Sequence, residues 1–292
     1  MHDVAVIGAG PAGIAASIYL KRAGFDIILF EKSEIGGLLL NAYLVENYPG
    51  FSDGISGMKL CKLLEKHLEK WNIRPIMRAV KKIKIENNHF LLDTQKDKIT
   101  CKVIVLATGT KPKELGIPVE RDLIGKKVFY EIKDLLPILK PRNVCTIIGG
   151  GDASFDYALN LADKGVIAEI FFRSEKPNCL YLLEERAKNS SKINLHPSVK
   201  PYKIIKIQEK IETEFKCSKT NRGIKSVSDY VLIACGRKPN LELLSNNLKK
   251  SNIPGLFIAG DVKTGKFRQV GIAIGKGIYS AMSAENYLRG SV

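Results

Sequence analysis

An α/β fold built from two three-layer domains is what the sequence predicts, and three observations carry the prediction. Short apolar runs alternate with helical periodicities through most of the chain. A glycine-spaced loop, Gly8-x-Gly10-x-x-Gly13, follows the first apolar run, and a related loop, Gly149-x-Gly151-x-x-Ser154, follows a later one. A strand that breaks at spaced glycines and runs into a helix is the pattern of a Rossmann-like, dinucleotide-binding βαβ unit. At 292 residues the chain has room for two such units, each with its own core.

The first unit occupies Val4 to Glu31. Val4–Ile7 reads as a strand, Pro11 and Ala12 open an Ala-rich helix, and Phe25–Glu31 reads as a second strand ending in a carboxylate, followed by Lys32. Gly8 permits a sharp turn, Gly10 lets backbone N–H groups approach a pyrophosphate at the positive end of the helix, and Gly13 lets helix and strand pack closely. Glu31 is placed to accept from both hydroxyls of an adenosine ribose. Next come Gly36, Gly37 and Leu38 in a loop, then Val45–Phe51, which includes Asn47. Residues 57–71 show an amphipathic helix with Leu60, Leu64, Leu68 and Trp71 on one stripe, and His67 beside that stripe reads as structural. Residues 80–105 read as short strands around an Asn87-Asn88 turn, and the last of them breaks at Ala107-Thr108-Gly109, where backbone can approach a nucleotide.

Lys111-Pro112 reads as a linker into the second unit. There Val144–Ile148 is a strand, Gly149–Ser154 (with Asp152 and Ala153) a loop, Phe155–Lys164 a helix and Ala168–Arg173 a strand. Ser154 replaces the third glycine. The second strand ends in Arg173-Ser174 where the first ended in Glu31, and a guanidinium with a hydroxyl suits a 2′-phosphate, which favours NADPH. Glu175 follows directly and keeps NADH open. Tyr230–Gly236 echoes the earlier strand and, through Pro239-Asn240, returns the chain to the first domain. The last segment breaks at Gly260-Asp261, continues through Arg268-Gln269-Val270 and ends in a Gly/Ala-rich helix from about Ile272 to Leu288. A carboxylate just past a strand stands where such sheets bind ligands.

Composition narrows the classes. No apolar run approaches the roughly 18 residues of a membrane span, and a strand from Val4 leaves no room for a leader, so a cytoplasmic protein is expected. Six scattered cysteines with no C-x-x-C, and four dispersed histidines, offer no metal-ligand spacing. The net charge is +16, yet the basic residues are spread out and not interleaved with aromatics, which argues against a nucleic-acid platform while favouring acidic partners.

The order of these motifs resembles the thioredoxin-reductase-like class of pyridine nucleotide–disulfide oxidoreductases, over nearly the whole length. Gly8, Gly10, Gly13 and Glu31, Gly36-Gly37, Val45–Phe51, Ala107–Gly109, Gly149, Gly151 and Ser154, Gly236 with Pro239-Asn240, and Gly260-Asp261 with Arg268–Val270 carry the resemblance. It implies FAD on the first unit, NAD(P)H on the second, Asp261 at the flavin ribityl chain and Gln269-Val270 at the isoalloxazine. It also implies a homodimer and a discontinuous FAD domain (1–111 and 242–292) interrupted by a nicotinamide domain (112–241).

Thioredoxin reductases carry a C-x-x-C between about positions 131 and 135, where this chain has Glu131-Ile132-Lys133-Asp134-Leu135. Without two thiols, flavin electrons cannot leave by thiol exchange. Val128–Leu135 and Gly149–Leu159 are similar to the thioredoxin-reductase-like ferredoxin–NADP⁺ reductases, though the chain ends at Val292 where that subfamily carries an extension. The resulting expectation is an FAD enzyme passing electrons from NADPH or NADH to a ferredoxin- or flavodoxin-type acceptor. An NAD(P)H oxidase or diaphorase and a non-catalytic flavin-binding regulator are the alternatives. Asp134 lies where the family keeps an acid, and also reads as a solvated surface residue.

Overall fold

The computed structural model describes residues 1–119, 121–245 and 253–290. They fall into two compact units, one comprising Met1–Leu40, Val45–Lys111 and the chain from Lys238 onward, the other Asn41–Leu44 and Pro112–Arg237. In chain order the elements are β1 (His2–Ile7), α1 (Pro11–Arg22), β2 (Ile27–Glu31), α2 (Gly57–Lys70), β3 (Ile76–Met77), β4 (Lys82–Glu86), β5 (His89–Asp93), β6 (Lys98–Leu106) and β7 (Thr110–Pro112). They continue with β8 (Val128–Phe129), α3 (Ile132–Leu135), β9 (Val144–Ile148), α4 (Asp152–Asp163), β10 (Ile167–Phe171), α5 (Tyr181–Lys188), β11 (Ile193–His196), β12 (Val199–Ile207), β13 (Lys210–Cys217) and β14 (Gly223–Ser228). β15 (Tyr230–Ile233), β16 (Arg237–Pro239), β17 (Leu256–Ile258) and α6 (Val270–Arg289) complete the described chain.

The first unit is built on a sheet ordered β3-β2-β1-β6-β5-β4, with β17 also paired to β6. Its parallel part joins β1 to β2 in the register Val4↔Ile27 and to β6 in the register Val4↔Val103. Because strand side chains alternate, the sheet feeds two cores. Val4, Val6, Val103 and Val105 pack with Ile14 and Leu20 of α1 and Ala273, Ala281 and Ala284 of α6. On the other face Ala5, Ile7, Ile104 and Leu106 pack with Ile83, Phe90 and Leu92 of the β4–β5 hairpin. Asn87 and Asn88, with φ of 49° and 60°, make the tight hairpin turn whose two central residues both need positive φ.

The second unit has a parallel sheet ordered β11-β10-β9-β15-β8. α4 and α5 bring Phe155, Leu161 and Ala187 against Cys145, Ile147 and Leu232 on one face. The antiparallel sheet β12-β13-β14 brings Ile204, Ile211 and Phe215 against Ile148, Val231 and Ile233 on the other. Each unit is therefore a three-layer Rossmann-like α/β domain. Among the described residues no helix is long and apolar enough to cross a membrane.

Several expected boundaries move. α4 starts at Asp152, three residues before the expected Phe155, because Gly151 serves as N-cap in an extended conformation (φ −102°, ψ 178°). Asp152, Ala153 and Ser154 thus form the first helical turn and not a loop. α6 likewise starts at Val270 instead of Ile272, with Gln269 as its N-cap. β10 stops at Phe171, so Arg173 and Ser174 stand beyond the strand and not at its end. Lys111-Pro112, expected as a linker, does mark the division between the two units, though it lies in the short strand β7, which pairs with β16. His67 is exposed, whereas the expected apolar stripe of α2 faces inward, Leu60 and Leu68 buried and Leu64 and Trp71 partly buried against the core that holds Leu68.

Candidate functional site: two glycine cradles

In the first unit four breaks meet at the carboxyl edge of the sheet, after β1, β2, β6 and β17. Gly8 adopts a φ of +109°, and its N–H donates to the Phe30 carbonyl at 2.8 Å. A Cβ on Gly8 would overlap the Ala107 carbonyl oxygen, and one on Gly13 would overlap the Gly8 carbonyl oxygen. By contrast nothing lies within 4 Å of where a Gly10 Cβ would stand. Two glycines are thus demanded by protein packing, and the third leaves open space at the start of α1. That helix has no side-chain cap at Gly10, and Pro11 stands in its first turn. Uncapped N–H groups at a helix start attract an anion, so the cradle fits a pyrophosphate.

Glu31 closes one side of this cradle. Its side chain is buried, Oε2 accepting from the Ala9 N–H at 2.8 Å and Oε1 from the Ser33 N–H at 2.9 Å. Oε1 also accepts from Ser33 Oγ at 3.4 Å, while Oε2 keeps a further lone pair for a ligand hydroxyl. Lys32, the next residue, is exposed. Gly37 (φ +56°) passes close to Gly10 and opens a 3-10 turn that includes the half-buried Leu38. Thr108 Oγ1 donates to the Asn240 carbonyl at 2.7 Å and the Asn240 N–H donates to the Gly109 carbonyl at 3.0 Å, which pins the Ala107–Gly109 break. Gly260 (φ +75°) sits against Ala12, with Asp261 next to it in a 3-10 turn. Asn47 Nδ2 donates to Gln269 Oε1 at 3.0 Å, directly before Val270 opens α6, and Arg268 is half-buried.

The second unit repeats the design. The Gly149 N–H donates to the Phe171 carbonyl at 3.0 Å, as Gly8 does to Phe30, and a Gly149 Cβ would overlap the Ala234 carbonyl oxygen. α4 starts at Gly151 without a side-chain cap. Asp152 accepts at Oδ1 from the Leu180 N–H at 2.8 Å, tying the helix start to the loop after β10. Ala153 is exposed, as are Arg173 and Ser174, so the latter two are accessible to a ligand. Glu175 is held by Lys219 Nζ at 2.6 Å. Gly236 (φ +100°) follows β15, its carbonyl accepting from the Lys113 N–H.

Sequence reasoning missed a polar cluster in this unit. Glu131 Oε1 accepts from Arg237 at 2.7 Å and Oε2 from Asn41 at 2.8 Å, while Asn41 Oδ1 accepts from the Lys133 N–H at 3.2 Å. Asp156 accepts from the Tyr43 N–H at 2.9 Å, and burial pushes its carboxyl up from 3.8 to about 6. These partners are 90 or more positions apart, so only the glutamate's place before α3 was visible beforehand.

The model of the pyridine nucleotide-disulphide oxidoreductase family matches residues 2–277. The chain belongs to that family. It is 26% identical to the NADPH-dependent thioredoxin reductase 3 of Arabidopsis thaliana, covering 99% of this chain but 58% of that protein, and so spans little over half of that relative's length. Identity with the thioredoxin reductase of Chlamydia pneumoniae is 28%, over 97% of each chain. Among solved structures, the thioredoxin reductase of Lactococcus lactis superposes with a TM-score of 0.91 at 28% identity, over 99% of this chain and 100% of that one. The protein is thus a thioredoxin-reductase-like oxidoreductase of a flavoprotein family.

Within this oxidoreductase the stretch Glu131–Leu135, expected from the resemblance to stand where thioredoxin reductases carry their dithiol, is largely buried. Ile132 and Leu135 are fully buried, and the Glu131–Arg237 pair, its side chains 16% and 18% exposed, fills the polar side. Asp134 points outward, 54% exposed and 3.5 Å from Lys133 Nζ. Burial pushes the Cys61 and Cys101 thiols up to about 12 and raises Cys145 further. Cys217, acidified by a hydrogen bond from Thr220, stands at the end of β13. All six cysteines are free.

Proposed function

We propose that the chain is an FAD-dependent oxidoreductase that takes hydride from NADPH in preference to NADH and passes electrons to a small acidic carrier of ferredoxin or flavodoxin type. The observation that carries the reading is the Glu131–Arg237 pair with buried Ile132 and Leu135 where a dithiol relay would have to stand. That substitution supports exit of electrons to an external acceptor without thiol exchange. The absence of any C-x-x-C in the chain supports the same reading.

FAD would supply the redox chemistry, accepting a hydride and releasing electrons. The residues of the chain would bind and orient. The uncapped start of α1, with Gly10 open above it, would hold the pyrophosphate, and Glu31 would accept from the adenosine ribose hydroxyls. Asn47, Asp261, Gln269 and Val270 would line the flavin half. Gly149, Gly151 and the first turn of α4 would hold the second dinucleotide, with Arg173 and Ser174 taking a 2′-phosphate. Engagement of Glu175 by Lys219 supports NADPH, because that carboxylate is drawn from the ribose it would otherwise bind. In the same reading the protein is a cytoplasmic homodimer.

Anaerobic titration tests the proposal. NADPH is expected to bleach the flavin band of the purified protein, with NADH less effective, and addition of oxidised ferredoxin or flavodoxin to restore it. Failure of either nucleotide to bleach it would point to the non-catalytic regulator. Rapid reoxidation by oxygen alone, with peroxide formed and no gain from a carrier, would point to the oxidase.

A further inference from the structure

We propose that the loop Lys263–Phe267, between the Gly260–Val262 turn and α6, is the docking surface for the acidic carrier. The inference rests on the function proposed above and deepens it by naming where the electrons leave. Phe267 is 77% exposed, an aromatic ring presented to solvent in an otherwise polar loop. Lys263 and Lys266 are exposed beside it, and Arg268 follows. An exposed aromatic ringed by cations is a combination seen at protein interfaces, the ring providing desolvated contact and the charges steering.

Availability of these charges distinguishes them from several lysines of the β12-β13-β14 sheet. On the β12-β13-β14 sheet Lys225 pairs with Glu212 at 2.8 Å, and Lys203 and Lys225 approach Glu214 at 3.9 Å. No ion pair among the described residues engages Lys263, Lys266 or Arg268. An outside carboxylate can therefore pair with them without displacing an internal one. The same charges disfavour a second copy of this chain as the occupant, since an isologous contact would bring like charges together. Tyr279 (73% exposed) and Met282 (47%), further along α6, form an uncharged apolar stretch better matched to a second copy.

Position completes the case. The loop leaves Asp261 and enters Gln269-Val270, residues placed on the flavin half of the cradle, so a carrier seated on Phe267 would lie beside the group that gives up electrons. Each NADPH would reduce two one-electron carriers and leave NADP⁺ and one proton.

The experiment compares the FAD-loaded wild type with Lys263→Glu/Lys266→Glu and with Phe267→Ala. Three readouts are taken: NADPH-driven reduction of a purified acidic ferredoxin and of a flavodoxin at several salt concentrations, reduction of menadione (a small neutral acceptor), and size-exclusion chromatography. Both variants are expected to raise the KM for the carriers about 10-fold or more, with the charge variant also flattening the salt dependence, while menadione turnover stays within about twofold. Carrier kinetics equal to wild type in both variants would overturn the docking surface and leave the proposed function standing. Inability of the wild type to reduce either carrier would remove both. A change of oligomeric state in Phe267→Ala with unchanged carrier KM would assign the loop to a second copy and overturn the proposal.

Discussion

The two glycine cradles share an architecture and differ in how much of the ligand site is finished. Gly8 and Gly149 do the same work: each donates its N–H to the neighbouring strand and has no room for a Cβ. They part at the third position. Gly13 has the Gly8 carbonyl oxygen where its Cβ would stand, whereas Ser154 fits, its buried Oγ without a hydrogen-bond partner among the described residues. They part again at the second strand, where the first cradle ends in a buried, hydrogen-bonded Glu31 and the second in the exposed Arg173. A prebuilt, buried acid suits a cofactor that stays, and a solvated cation suits a ligand that exchanges, because little of the second site must reorganise as the ligand comes and goes.

Substitution at Gly13 is the severest way to break the comparison. Gly13→Ala should abolish bound flavin and destabilise the chain by about 3 kcal/mol or more, since the methyl group must displace backbone. Flavin absorbance per chain and the urea midpoint measure both effects. An alanine at Ser154, the matching position, should leave the fold intact, and wild-type-like flavin content in Gly13→Ala would end the distinction between the cradles.

Arg173→Ala should raise the KM for NADPH by about 10- to 100-fold and leave that for NADH nearly unchanged, as loss of a charge-assisted phosphate contact implies. Steady-state kinetics with both nucleotides decide it, and equal effects on the two would move the 2′-phosphate elsewhere.

A third test uses the place where α4 carries an acid and α1, at the matching Ala15, carries none. Burial raises the Asp156 carboxyl from 3.8 to about 6, so between those pH values the folded chain holds this proton more tightly than the unfolded chain does. Its contribution to stability therefore rises as pH falls from about 6 towards 4, by an amount on the order of 2 kcal/mol. Unfolding measured at pH 6 and pH 4 should show that increment in the wild type relative to Asp156→Asn, and identical pH dependence in both would refute the assignment. The smallest effect is expected for Ser154→Ala, which removes a buried hydroxyl lacking a partner and should gain about 1 kcal/mol or less.

Local rules explain what the sequence made legible. Both strand–glycine–helix units, the Asn87-Asn88 hairpin and the buried strand Val144–Ile148 follow from residues within a few positions of one another. The sequence pattern sets the start of α4 three residues late because glycines read as loop, although Gly151 is the last residue before the helix and not part of a longer connection. The polar cluster of Asn41, Glu131 and Arg237 could not be read, since each member looks like an ordinary surface residue until the fold brings together partners 90 and 106 positions apart. The pairing of Lys219 with Glu175 was hidden for the same reason.

The pairing of β17 with β6 sets an order of assembly during synthesis. Residues 112–237 leave the ribosome as a continuous stretch that can complete its own layers, with strand partners at most about 100 positions apart. The earlier unit must wait: the Ile104–Leu106 segment of β6, paired with β1 on one side, gains its second partner only when Leu256–Ile258 arrive, and α1 stays uncovered until α6 follows. Contacts of that sequence separation slow folding and leave apolar edges open meanwhile. The later-made domain is therefore the first able to close its layers, and the earlier unit stays open until Leu256–Ile258 and α6 have been made.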